Sequence, residues 1–384
     1  MKRLIEKMSI LSLSVMLVST FAVSPALPAM IAFFEPLGIS GAQVEFLITV
    51  TSLAIMVSLL VNPYLEGYLP EPVMISLGLV LIACGGSLPL VTRSYVLIFL
   101  GRLILGTGLG FINARAINII SSHYDGQERL QMLGFRGAAE VLGSASLTAL
   151  VGLLLPLGWT ASFAIYLVAF LILGLYLAFV PKTQPGQRHQ DSDADVRLPK
   201  SQWRQAIFLG LIAGFVIHIN TMLTLKIPLL VEGLGLGTAA QSSRIISAMM
   251  LMGILAGISF SFLVQRLGRQ LLGLSVLLFA GLVLLVSLGS SLLVLGTGAI
   301  LSGFCYSTVL TIVFNQASEG VSARLLNKKM TIVLVGCNLG GASSSILPAF
   351  LEQIFPNTQT IVLIYAVLCL LAGVYLLARP LKHS

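Results

Sequence analysis

Arg102, Arg115, Arg136 and Glu140 lie inside long apolar stretches of a 384-residue chain. A charge at the centre of a membrane-spanning helix costs about 2.5 to 3.5 kcal/mol on insertion scales, so each of these residues implies a partner or a task. Arg136 and Glu140 are spaced i,i+4, which puts them on one helix face. If the stretches holding Arg115 and Arg136 run antiparallel around a turn near Asp125 and Gly126, Arg115 comes level with Arg136, and Glu140 lies about one turn deeper. The three can then share one site. Such a cluster is either an ion pair fastening two helices or a place where a proton or substrate is handled. A carboxylate held between desolvation, which favours its neutral form, and arginines, which favour the ionised one, can load and release a proton. Glu140 is the only acid well inside an apolar stretch, because Glu35, Glu45, Glu66, Glu232 and Glu352 all fall at ends. It is therefore the candidate for proton coupling.

A second group interrupts the apolar run after residue 203: His218, Asn220, Thr221, Thr224 and Lys226, with Pro228 able to break the helix locally. Irregular backbone at membrane depth lines a cavity or is buried in protein. The structural alternative has His218 and Asn220 bonding to neighbouring helices while Lys226 snorkels outward. Asn113, Tyr306, Thr308, Asn315 and Asn338 add scattered polar groups. The substrate-cavity candidates are Arg102, Asn113, Arg115, Arg136, His218, Asn220, Tyr306 and Asn338. A lone histidine gives no reason to expect a metal. No phosphate-binding Gly-x-x-x-x-Gly-Lys-Ser/Thr is present, so no nucleotide cofactor is expected and any uphill transport is secondary. No His/Asp, Ser/His or two-acid arrangement at helical spacing suggests an enzyme, and nothing resembles the effector domain of a sensor.

The elements that must position these residues follow from composition. Apolar residues make up 57% and charged residues 9%, against about 25% charged in a soluble domain. With a mean hydropathy of +1.00, the chain is neither a soluble globule nor disordered. Continuous apolar runs exclude an outer-membrane barrel. Cutting at polar and Pro/Gly-rich breaks predicts spans near 8–33, 43–65, 73–91, 95–120, 131–155 and 160–180. Six more are predicted near 204–231, 240–264, 270–289, 291–315, 327–351 and 358–378. The first stretch is too long for a cleaved signal segment and is expected to be retained. The expected domains are 1–180, a polar linker over 181–203, and 204–384.

With both termini and the linker cytoplasmic, 16 of the 22 Lys and Arg residues face inward, which satisfies the positive-inside rule. The net charge of +8 thus reflects loops beside a bilayer, not a nucleic-acid surface. Cys84, Cys305, Cys337 and Cys369 sit in apolar runs without CxxC spacing and are expected as buried free thiols. Gly106 with Gly110, Gly253 with Gly257, and Gly336 with Gly340 permit close helix contact. Pro25, Pro28 and Pro348 mark expected kinks.

Six spans, a charged linker and six more spans resemble the major facilitator superfamily. The fourth span, Leu100-Gly101-Arg102-Leu103-Ile104-Leu105-Gly106-Thr107-Gly108-Leu109-Gly110, is similar to that family's buried-arginine motif. Gln265-Arg266-Leu267-Gly268-Arg269 resembles its basic, glycine-containing loop, and Gly158-Trp159 with Phe163 also fits. The first-half counterpart of that loop, Asn62 to Glu71, keeps an acid but no base. Of the fifth-span antiporter pattern only the first and last glycines, Gly143 and Gly152, are present. The resemblance implies an all-α membrane protein of 12 transmembrane helices in two pseudo-symmetric six-helix bundles. It also implies alternating access with protons as coupling ion, and layout and short loops resemble the drug-proton antiporter branch. The expected activity is proton-coupled efflux of a small amphipathic or anionic molecule by a monomer in the cell membrane. Import or uniport of a small metabolite is the alternative.

Overall fold

The computed structural model describes residues 2–65, 68–124, 126–180, 199–319 and 323–378, so residues 181–198 of the expected linker lie outside it. Among the described residues all regular structure is helical. The α-helices are α1 (Lys2–Val15), α2 (Leu27–Phe34), α3 (Gly41–Leu65), α4 (Glu71–Ser87), α5 (Tyr95–His123), α6 (Gly126–Leu154) and α7 (Val168–Phe179). They continue with α8 (Lys200–Gly233), α9 (Ala239–Leu267), α10 (Leu271–Ser287), α11 (Leu292–Ser318), α12 (Ala323–Glu352) and α13 (Thr358–Ala378). The chain divides into two compact units, Met1–Asp191 and Ser192–Ser384, at a point inside the expected linker. α8 starts at Lys200, so the second helical set begins before the expected residue 204.

Only helices satisfy all their backbone groups within one segment, which is why apolar runs of this length take no other form in lipid. Eleven stretches are long and apolar enough to cross a membrane, and one of them, Ala239–Ser287, has 49 residues. As one straight helix it would measure about 74 Å, more than twice the hydrocarbon thickness. The chain instead folds back at Gly268, whose φ of +48° suits a residue without Cβ, and α9 and α10 result. Twelve crossings follow.

The first crossing is not one helix. α1 ends at Val15, the 3-10 turns Ser19–Phe21 and Ser24–Ala26 follow, and α2 then begins. Pro25 sits in the second part of this break and Pro28 in the first turn of α2, yet the break opens about nine residues before Pro25, at Met16. The sixth crossing likewise starts as a nine-residue 3-10 segment, Trp159–Leu167, before α7. By contrast α8 runs unbroken through Pro228 and α12 through Pro348, against the expectation of a local break at Pro228. Every residue from Thr221 to Pro228 is buried, so packing outweighs the one backbone hydrogen bond that the proline removes.

Glycines set the closest approaches within each unit. A Cβ on Gly106 would meet the Thr51 carbonyl at 2.5 Å, and one on Gly101 the Gly85 carbonyl at 2.7 Å, so α5 is pressed against α3 and α4. In the second unit a Cβ on Gly214 would come 2.6 Å from the Gly336 carbonyl, while Gly340 faces the Gly214 carbonyl, fixing the α8–α12 crossing. The Gly253 and Gly257 pair does not follow suit, because Gly257 has open space where its side chain would be. Cys305, Cys337 and Cys369 are buried, but Cys84 is exposed, correcting the expectation for that residue. Its helix α4 presents that face outward.

The two kinds of glycine predict opposite responses. Gly214→Ala is expected to destabilise the protein by about 1 to 3 kcal/mol through overpacking. Gly257→Ala is expected to be neutral or stabilising by up to about 1 kcal/mol, because alanine is the better helix former. Unfolding in mixed detergent micelles measures both, and equal losses would contradict the packing described.

Candidate functional site

In the first unit Arg102 is a buried charge with several partners. It is 1% exposed, on the face of α5 between the glycine contacts to α3 and α4. Its Nε donates to the Leu47 carbonyl at 3.0 Å, Nη2 to the Thr20 carbonyl at 2.8 Å, and Nη1 to the Tyr166 hydroxyl at 2.8 Å. That hydroxyl in turn donates to the Ser19 carbonyl at 3.1 Å. The guanidinium also lies 5.9 and 5.7 Å from the ring centroids of Phe163 and Tyr166. Thr20 and Ser19 belong to the break in the first crossing, and Phe163 and Tyr166 to the 3-10 segment of the sixth. One cation therefore joins four crossings and takes the Thr20 carbonyl within the broken helix. Planar donors pointing in several directions are what this task needs, and arginine supplies them.

Arg136 and Glu140 form an ion pair of 2.7 Å, with side chains 15% and 24% exposed. Both residues belong to α6, so the pair does not tie two helices together. Glu140 is ion-paired with Arg136 at the i,i+4 spacing that the sequence offered. Arg115 is 2% exposed on α5. Asn113, half-buried on the same helix, stands about three turns from Arg102. Glu45, placed by the sequence at the end of its span, is only 3% exposed, so Glu140 is not the only acid enclosed by helices. Position in the chain could not distinguish an end that is covered by neighbours from one that is free.

In the second unit α8 and α12 run parallel and are joined at four levels. Lys329 Nζ donates to Gln205 Oε1 at 3.0 Å and to the Gln316 carbonyl at 3.4 Å. The glycine crossing comes next, then His218 Nδ1 with Ser343 Oγ at 2.8 Å, and finally Lys226 with Glu352 at 2.5 Å. Ser343 Oγ donates to the Gly340 carbonyl at 3.1 Å, so it accepts from Nδ1–H of His218. The other ring nitrogen, Nε2, is buried without a hydrogen-bond partner, and the imidazole lies 5.0 Å from the ring of Tyr365. Lys226 does not snorkel, being 1% exposed and ion-paired. Asn220 keeps a buried amide oxygen without a partner. Asn338 donates to the Leu334 carbonyl of its own helix at 2.9 Å, and Tyr306 on α11 is half-buried.

Lys329, fully buried near the start of α12, was hidden in the sequence among the basic residues Arg324, Lys328 and Lys329 that precede an apolar run. A signal was available: no charged residue follows it until Glu352, so it is the last cation before an apolar span.

An ammonium cannot reach Leu47, Thr20 and Tyr166 at once. Arg102→Lys is expected to cost about 3 kcal/mol or more, since hydrogen bonds to charged groups contribute about 1.5 to 3 kcal/mol each. Tyr166→Phe, which removes only the hydroxyl bridge to Ser19, should cost about 1 to 2 kcal/mol. Thermal unfolding of detergent-purified protein measures both, and a lysine variant as stable as the parent would refute this role for Arg102.

Comparison with known proteins places this geometry. No curated protein sequence matches significantly. Among solved structures, a D-xylose-proton symporter is 18% identical with a TM-score of 0.75, covering 97% of this chain and 96% of that one. An inward-open xylose transporter, XylE from E. coli, is 14% identical with a TM-score of 0.76, covering 100% and 97%. A peptide transporter POT bound to sulfate is 13% identical with a TM-score of 0.76, covering 96% and 94%. At such identities the likeness concerns the fold. The sequence model described as Major Facilitator Superfamily matches residues 10–342. With that match spanning most of the chain and twelve helical crossings in two units, the protein belongs to the Major Facilitator Superfamily and is a multi-pass membrane transporter.

Proposed function

We propose that this transporter couples movement of a small anionic or amphipathic organic molecule to protons, with Glu140 as the proton-carrying group. The observation that supports the reading is the Arg136–Glu140 pair. It lies within a membrane-spanning stretch, keeps part of its surface uncovered, and is intrahelical, so it does not fasten one helix to another. A carboxylate that is neither fully enclosed nor committed to a neighbouring helix can exchange a proton without dismantling the fold. Protonation of Glu140 would release Arg136, whose Nε is buried and without a partner, and so change the charge presented to a substrate.

The substrate class follows from charge. Arg102, Arg115 and Arg136 stand against Glu140 and the buried Glu45. Among these first-unit groups the positive charges exceed the negative ones by one. Bringing a permanent cation toward such an excess meets repulsion of about 4 kcal/mol per charge at 4 Å and an effective dielectric near 20. Anionic, zwitterionic or neutral amphipathic solutes do not meet that barrier. Efflux is the direction we propose, in keeping with short loops and an overall layout similar to drug-proton antiporters. Import is the second reading, favoured by the symporter named among the similar structures. We further propose that both termini and residues 181–203 face the cytoplasm, as the distribution of basic residues requires.

Proteoliposomes test the coupling. Glu140→Gln is expected to abolish flux driven by a pH gradient while leaving substrate exchange at least partly intact. Wild-type gradient-driven flux in that variant would remove Glu140 from the mechanism. The sign of the pH gradient that accumulates substrate decides between efflux and import. A binding panel of cationic dyes, neutral drugs and organic anions tests the charge preference, which tight binding of tetraphenylphosphonium would contradict. For topology, a cysteine at Asp193 should be labelled only from the cytoplasmic side.

A further inference from the structure

A cavity in the second unit opens where α9 ends, the chain turns at Gly268, α10 begins and α11 ends. Its inner wall is apolar, with Phe260, Val264 and Ile312, and its polar side carries Arg269, Asn315 and Gln316. Its empty volume, counted with the open solvent at the mouth, is about 390 Å³. Gln316 is 9% exposed and its side-chain oxygen is buried without a hydrogen-bond partner. A buried amide in that condition calls for a ligand or water that can hydrogen-bond to it.

The charged side chain that lines this cavity, Arg269, is basic. No Asp or Glu occurs from residue 233 to residue 318, while Arg266 and Arg269 flank Gly268. The buried ammonium of Lys329 lies 3.4 Å from the backbone carbonyl of Gln316, and the nearest acid in the chain beyond α11 is the exposed Glu319. Beside the cavity α9 presents Ile258 and Phe262 outward, 76% and 60% exposed, and the Arg266 guanidinium sits 5.7 Å over the Phe262 ring. An apolar wall leading up to a basic, amide-lined recess at a helix end is the shape of a lipid site, with chains along α9 and a headgroup in the recess.

We infer that this recess binds an anionic phospholipid whose headgroup is a polyol, the phosphodiester meeting Arg269 and a hydroxyl meeting the Gln316 amide. Charge selects the phosphodiester, because Arg269 is the charged side chain lining the recess and Arg266 flanks Gly268 beside it, whereas Glu319, which faces Lys329, lies beyond the end of α11. The amide selects the hydroxyls, which can donate to its oxygen or accept from its nitrogen. An ethanolamine headgroup would bring an ammonium into that positive field, and a choline headgroup has no donor for Gln316. The recess lies at the end of the unit that the distribution of basic residues assigns to the cytoplasmic leaflet.

Native mass spectrometry of the full chain, released from detergent with phosphatidylglycerol, phosphatidylethanolamine or phosphatidylcholine, tests this. Phosphatidylglycerol should be retained about fivefold or more over the other two, the factor expected when one basic side chain acts near the surface. Arg269→Gln should abolish the preference, whereas Arg204→Gln, an exposed arginine at the start of α8, should leave it intact. Gln316→Glu puts a carboxylate in the recess and should reverse the order in favour of phosphatidylethanolamine, which loss of packing alone would not do. Equal retention of the three lipids, or a preference that survives Arg269→Gln, would overturn the assignment. Displacement by soluble glycerol phosphate as effective as by the lipid would overturn the lipid as occupant.

Discussion

A broken helix at membrane depth leaves carbonyl groups that lipid cannot satisfy, and in this protein the Arg102 guanidinium answers that constraint. The break from Met16 to Ala26 turns the Thr20 carbonyl to Arg102, and the Ser19 carbonyl, which already accepts from Ala22 N–H, takes a second bond from Tyr166. The same cation holds the Leu47 carbonyl of α3 and lies against Phe163 in the second irregular segment. Remove it and two segments lose the reason to stay unwound. The glycines of α5 make the arrangement possible, since only backbones pressed this close let one side chain reach three elements.

The second unit solves the same problem differently. Its long helices α8 and α12 keep their own hydrogen bonds, even past prolines, and are held by a glycine crossing with polar contacts above and below it. Lys329 at one end, His218 in the middle and Lys226 at the other each meet a partner on the opposite helix or beside it. Against these arrangements the Arg136–Glu140 pair stands apart because it is confined to one helix. That difference is the reason we propose proton coupling at Glu140.

Much of this was legible in the sequence, and the failures share one cause. The all-helical membrane fold of twelve spans follows from hydropathy and breaks, both local properties. The start of the break at Met16 was not legible, because it depends on an arginine about 80 residues away rather than on Pro25. Pro228 misled for the converse reason, since neighbouring helices decide whether a proline breaks its own. The Arg136–Glu140 pair was legible as i,i+4 spacing on one helix, a local property. Lys226, Lys329 and Glu45 were read as end charges, yet packing encloses all three. Cross-helix partners such as Gln205 and Ser343 carry no charge and so left no mark in the pattern.

Hydrogen–deuterium exchange of the detergent-purified protein and its Arg102→Lys variant tests the central dependence most directly, because it resolves the irregular segments from the rest of the chain. We predict faster exchange by about tenfold or more across residues 16–27 and 159–167 in the variant, the consequence of losing a charge-assisted hydrogen bond in a locally opening segment. Residues 209–231 of α8 should keep their protection. Unchanged exchange in the first-unit segments, or an equal rise throughout both units, would contradict the claim that Arg102 holds the broken helix in place.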